Sequence, residues 1–154
     1  MQMDYENLLE EAAKENLIVK EKPLIYANGR IKGNKVALRK GMTSTQRKCA
    51  LAEELGHHHT TVGNILDQSI VENRKQERRA RYWAFKKLVS LFDIIRAYKY
   101  GCQNLYEMAD FLEVSEEFLK EALNVYRAKY GTGVRFDEYM ITFEPYLAVY
   151  EFHK

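Results

Sequence analysis

Residues 52–60, AEELGHHHT, constrain this chain more than any other stretch. Thr43 with Gln46 three residues later matches a capping box, in which each side chain accepts from the other residue's backbone N–H, so the sequence predicts a helix over Ser44–Thr60. On that helix Glu53 and His57 lie one turn apart on the same face and can converge on one ion, whereas the consecutive His57, His58 and His59 splay around the axis. The pattern is HExxH with its first histidine replaced. Glu53 and His57 keep the spacing of a metal-ligand pair, and Glu54 keeps the position of the glutamate that activates water. A pair needs a third ligand from elsewhere, and the next long helical stretch, residues 69–100, offers Glu72 and Glu77. Glu77 is the better candidate, because Ala80 about one turn later would let two helices approach closely.

Local signals outline the rest. Residues 5–16 carry Leu8, Leu9, Ala12 and Ala13 at helical spacing, and residues 17–19 form a short apolar strand candidate. Residues 24–40 alternate in character around Asn28-Gly29 and Gly33-Asn34, which predicts a small antiparallel β-meander before the motif helix. Gly63 and Asn64 break the chain. The helix over 69–100 carries Ala80, Trp83, Ala84, Leu88, Leu91 and Ile95 on one face. Two shorter helices follow at 104–112 and 115–130, with Ser115 as N-cap and Gly131 as C-cap, arranged like a helix-turn-helix. The tail over 139–152 has two β-prone runs around Glu144-Pro145 and suits a hairpin or an added strand.

Composition excludes several classes. With 154 residues, 46% of them hydrophobic, the chain has the material for one core, and the absence of repeats or linkers favours a single domain. A formal charge of +2 announces no nucleic-acid surface. Cys49 and Cys102 stand far apart without CxxC spacing, which fits buried small residues in a reducing cytoplasm rather than a disulfide or a cysteine metal site. The N-terminal stretch is acidic and amphipathic, and no run reaches 18 apolar residues, so neither a signal peptide nor a membrane span is expected.

Three ordered segments resemble the ImmA/IrrE family of metallopeptidases associated with phages and integrative elements. ALAEELGHHHT matches the family's AHELGH helix except at Glu53, QERRARYWAFKKL is similar to its ExxAxxFAxxLL segment, and LYEMADFLEVSEEFLKEALNVYRAKYG is similar to its downstream helical pair. The resemblance covers residues 5–131. It implies a helix-dominant, zincin-like α+β single domain over residues 1–154, with the tail 132–154 added to the core. It makes Glu77 the third metal ligand and Zn2+ the expected ion. It further implies a cytoplasmic endopeptidase from a prophage or other mobile element, acting as an anti-repressor on a helix-turn-helix repressor.

Glu53 alters the expected chemistry. Its carboxylate can bind zinc at roughly 2.0 to 2.2 Å, but two carboxylates and one imidazole cancel the charge of a divalent ion, and the harder donor set also admits Mn2+ or Fe2+. His58 or His59 is a candidate to orient ligands or to assist an oxyanion, since one of them can face the cleft. Two other readings stand beside cleavage. One is a catalytically inactive metal-binding regulator of the same fold. The other is a DNA-binding regulator, drawing on the basic run Arg74, Lys75, Arg78, Arg79, Arg81, Lys86 and Lys87 and on the C-terminal helix pair. Glu116, Glu117 and Glu121 oppose DNA reading, because they stand early in the second helix, where phosphate contacts need donors. The plain alternative for Glu77 is an exposed helix face with charge pairs to Arg74, Arg78 or Arg81, and Trp83, Tyr82 and Phe85 suit a core better than a stacking platform. His153 in the tail has no expected role.

Overall fold

The computed structural model describes residues 3–60 and 70–152, with side chains of the third helix described from residue 73 onward. The break expected at Gly63 and Asn64, the helix start at Ser69, the Glu72 side chain and His153 lie outside the described residues. The architecture is α+β and dominated by helix, with six helices and six strands among the described residues. Two compact units divide it, one over residues 3–87 and one over 88–152.

In the first unit, α1 (Tyr5–Lys14) begins where the Asp4 carboxylate accepts from the Asn7 N–H at 2.8 Å, and it buries Leu8 and Ala12. Strands β1 (Ile18–Lys22), β2 (Gly29–Lys32) and β3 (Lys35–Arg39) form a sheet in the order β1-β3-β2. The antiparallel hairpin β2–β3 turns at Gly33-Asn34, where Gly33 takes the positive φ that a two-residue turn requires. Asn28-Gly29 opens β2 instead of joining two strands. β1 pairs with β3 in parallel, which leaves β2 at a sheet edge. Val36 and Leu38 of β3 point into the core, and α2 (Ser44–Thr60) packs against α1, β2 and β3.

The reciprocal capping box forms as the sequence predicts: the Thr43 N–H donates to Gln46 Oε1 at 2.9 Å and the Gln46 N–H to Thr43 Oγ1 at 3.1 Å. The single helix expected over 69–100 is instead two, α3 (Ile70–Leu88) and α4 (Leu91–Tyr100). Ser90 and Asp93 make a second capping box that restarts the helix, and the Val89 carbonyl accepts from the buried Tyr126 hydroxyl at 2.6 Å.

In the second unit, α5 (Leu105–Leu112) is capped by Asn104 and α6 (Glu116–Tyr130) by Ser115, with Gly131 closing α6 as expected. The tail is more ordered than a hairpin. Strands β4 (Gly133–Phe136), β5 (Tyr139–Thr142) and β6 (Ala148–Glu151) form an antiparallel sheet that buries Tyr139, Ile141, Phe143 and Val149.

Candidate functional site

The motif helix α2 lies at the centre of the first unit, where Cys49, Ala50, Leu51, Ala52 and Leu55 are all buried. Gly56 sets its distance from α3. A Cβ there would stand 2.2 Å from the Ala80 carbonyl oxygen, so the helices cross with no side chain between them, and Ala80 is fully buried at the crossing. Glycine inside a helix costs about 1 kcal/mol relative to alanine. The close approach is what that cost secures, since it carries Glu77, one turn before Ala80, to His57, one residue after Gly56.

His57 Nε2 stands 3.1 Å from Glu77 Oε2. Both line a cleft of about 520 Å3 together with Glu54, His58 and residues 29–31 and 33 of the β2 edge. Glu54 is 8% exposed, and Gly29 makes room for it, because a Cβ on Gly29 would meet Glu54 Cγ at 3.0 Å. Burial, with the neighbouring charges of Glu53 and Glu77 adding to it, pushes the Glu54 carboxyl up from 4.5 to about 7. Near pH 7 such a group both takes and returns a proton readily.

The other residues of the motif take different partners. Glu53 Oε1 is 3.9 Å from Arg81 Nη2, so the glutamate in the first ligand position has a guanidinium beside it. His58 Nε2 lies 2.9 Å from Glu15 Oε2, and His58 also borders the cleft. His59 stacks on Trp83 with ring centroids 4.8 Å apart and stands 3.8 Å from the same Glu15 carboxylate. Glu77 thus pairs with His57, and Arg81 turns to Glu53. Gly56, Gly29 and Glu15 also shape the site, although ligand spacing does not point to them. A glycine inside a strongly helical motif was the available signal for the first. Glu15 and Gly29 join through tertiary contacts that no spacing shows.

A family model for the IrrE N-terminal-like domain, a peptidase family, matches residues 3–124. The chain belongs to this family. No curated protein matches it. Membership in the IrrE-like peptidases supports a metallopeptidase type of function, with a metal cofactor and a protein substrate. Among the described residues, no helix is long and apolar enough to cross a membrane.

The donors of this IrrE-like chain fit a divalent ion in kind: one imidazole and two carboxylates within reach of one helix crossing. The 3.1 Å between His57 and Glu77 is close to the roughly 3.3 Å that separates neighbouring ligands around a tetrahedral zinc. Among the described residues, no three His, Cys, Asp or Glu side chains already close on one point. His57 and Glu77 are the pair in place, and the Glu53 carboxylate stands at Arg81.

Proposed function

We propose that this protein is a metal-dependent endopeptidase in which Glu53, His57 and Glu77 hold one divalent ion and Glu54 is the general base. Zinc is the ion expected first, with manganese or iron admitted by the carboxylate-rich donor set. The observation that carries the reading is the buried Glu54 carboxyl, raised to about 7, in the same cleft as the His57–Glu77 pair.

When bound, the ion supplies Lewis acidity to a scissile carbonyl. Glu54 takes the proton from the attacking water and returns it to the leaving amine. The β2 edge borders the cleft and presents a strand to which an extended substrate segment adds by main-chain hydrogen bonds. His58, held by Glu15, faces the same space as a positioning group or oxyanion donor. The family resemblance points to a helix-turn-helix repressor of a phage or mobile element as substrate, in the cytoplasm.

A second reading, a metal-binding regulator that no longer cuts, is favoured by one observation: Arg81 engages the glutamate that replaces the first histidine. Glu54→Gln separates the two. It preserves shape, and we expect it to keep metal while lowering repressor cleavage by about 10^2- to 10^4-fold. Metal binding without cleavage by the wild type establishes the regulator, and undiminished cleavage by Glu54→Gln removes this residue from the mechanism.

A further inference from the structure

The second unit holds a concave site to which the peptidase reading gives no role. Its volume is about 540 Å3, within the range of small-molecule sites. Three stretches far apart in sequence build it: the end of α4 with the start of α5, one face of α6, and the β5–β6 connection. Its apolar surface comes from Leu105, Met108, Leu123, Phe143, Leu147 and Val149. The β5–β6 wall lies beyond residue 124, outside the family match.

The polar part of the lining has one sign. Lys120, Leu123, Asn124 and Arg127 recur at three- and four-residue spacing, so α6 turns a single stripe towards the groove while Phe118, Leu119, Ala122 and Tyr126 face the core. Gln103 and Asn104 add amides from another wall, and no aspartate or glutamate lines the groove among the described residues. Arg127 Nη2 donates to Asn124 Oδ1 at 2.9 Å, which orients the guanidinium, and its Nε lies 3.9 Å from the Glu144 carboxylate, so an anion of the chain itself already stands beside it. Lys120 has no ion-pair partner among the described residues, and Asn104 Oδ1 is occupied in capping α5.

We propose that this groove binds a small amphiphilic carboxylate, its apolar body on the Leu105–Met108–Phe143 surface and its anionic head at the Lys120–Asn124–Arg127 stripe. Apolar burial supplies affinity that an alcohol or an amine of the same chain length shares. The one-signed stripe supplies discrimination: it attracts a carboxylate and repels an ammonium.

The test uses the full chain and octanoate as probe, with octylammonium as its cationic counterpart, in isothermal titration. Octanoate is expected to bind in one equivalent and about tenfold or more tightly than octylammonium, the scale of a charge-assisted hydrogen bond. The Lys120→Gln/Arg127→Gln pair alters exposed side chains only and leaves the circular dichroism unchanged, yet should lose about tenfold in octanoate affinity. Ala148→Trp fills the groove and abolishes binding of both probes. The proposal is overturned by absent octanoate binding, by equal affinity for the two probes, or by full affinity in the double glutamine variant.

Discussion

The two cavities have nearly the same volume, about 520 and 540 Å3, and opposite chemistry. The cleft of the first unit collects two carboxylates and two imidazoles against a helix crossing, and burial, with the charges of Glu53 and Glu77 adding to it, raises the Glu54 carboxyl. The groove of the second unit is apolar, with cations and amides and no carboxylate in its lining. The supports differ in kind. The charged cleft depends on backbone approaching backbone at Gly56 and Ala80, where no extra atom fits, whereas the groove has a buried floor at Met108, Phe143 and Val149 and a rim of exposed or half-exposed side chains such as Lys120, Leu123 and Arg127. Like charges held together need such rigid framing, because relaxation would otherwise separate them.

The largest effect expected is at the crossing. Gly56→Ala drives a methyl into the Ala80 carbonyl and should destabilise the chain by about 3 kcal/mol, while the half-exposed Leu123→Phe in the groove should cost less than about 1 kcal/mol. Urea midpoints of both variants measure this. Equal losses would dissolve the distinction between a rigid cleft and an exposed groove rim.

A comparable effect depends on pH. The Glu54 carboxyl is raised in the folded chain, so the fold favours its neutral form. Its contribution is fully present below pH 4.5, fades as pH rises towards about 7, and is absent above that. Glutamine mimics the neutral acid at every pH. In chelator-treated protein, Glu54→Gln should therefore match the wild type at pH 4 and exceed it at pH 8 by on the order of 3 kcal/mol. A constant difference across that range would mean that the cleft does not raise this carboxyl.

A smaller effect belongs to Arg81. Its guanidinium is beside Glu53, and both side chains are partly exposed, so the pair is worth little in stability. It also places a positive charge next to a proposed ligand of a cation. Arg81→Gln should raise zinc affinity by about two- to fivefold in titration calorimetry. Weaker zinc binding in the variant would show that Arg81 supports the site instead of competing for Glu53.

Local chemistry was legible in the sequence, and pairing at a distance was not. Thr43 and Gln46 announced α2, and Ser115 and Gly131 bounded α6, because caps are set by residues three or four apart. The break between α3 and α4 was hidden for a physical reason: Ala84, Leu88, Leu91 and Ile95 continue one apolar stripe through it, although Ser90 and Asp93 carry the restart. The parallel pairing of β1 with β3 is non-local, and alternation within a strand does not name its neighbour. The third strand of the tail sheet, β4, is a local partner of β5 across the two-residue turn at Asp137-Glu138, where Asp137 takes a positive φ without the glycine that usually marks such a turn. Of the proposed site, spacing along α2 marks Glu53, Glu54 and His57 as candidates, and the turn before Ala80 together with the family resemblance marks Glu77; of these, Glu54, His57 and Glu77 line the cleft. The Glu53–Arg81 contact and the hold of Glu15 on His58 come from tertiary packing. The groove escaped the sequence altogether, since its walls come from three separate segments, within residues 98–108, 120–127 and 143–149, that only tertiary packing brings together.

Stoichiometric metal analysis of wild type and His57→Ala, each loaded with zinc and then dialysed, tests the central claim most directly. The proposed site predicts close to one equivalent in the wild type and a small fraction of that in a folded His57→Ala variant. A wild type without metal, or a variant that retains its full equivalent, would contradict it.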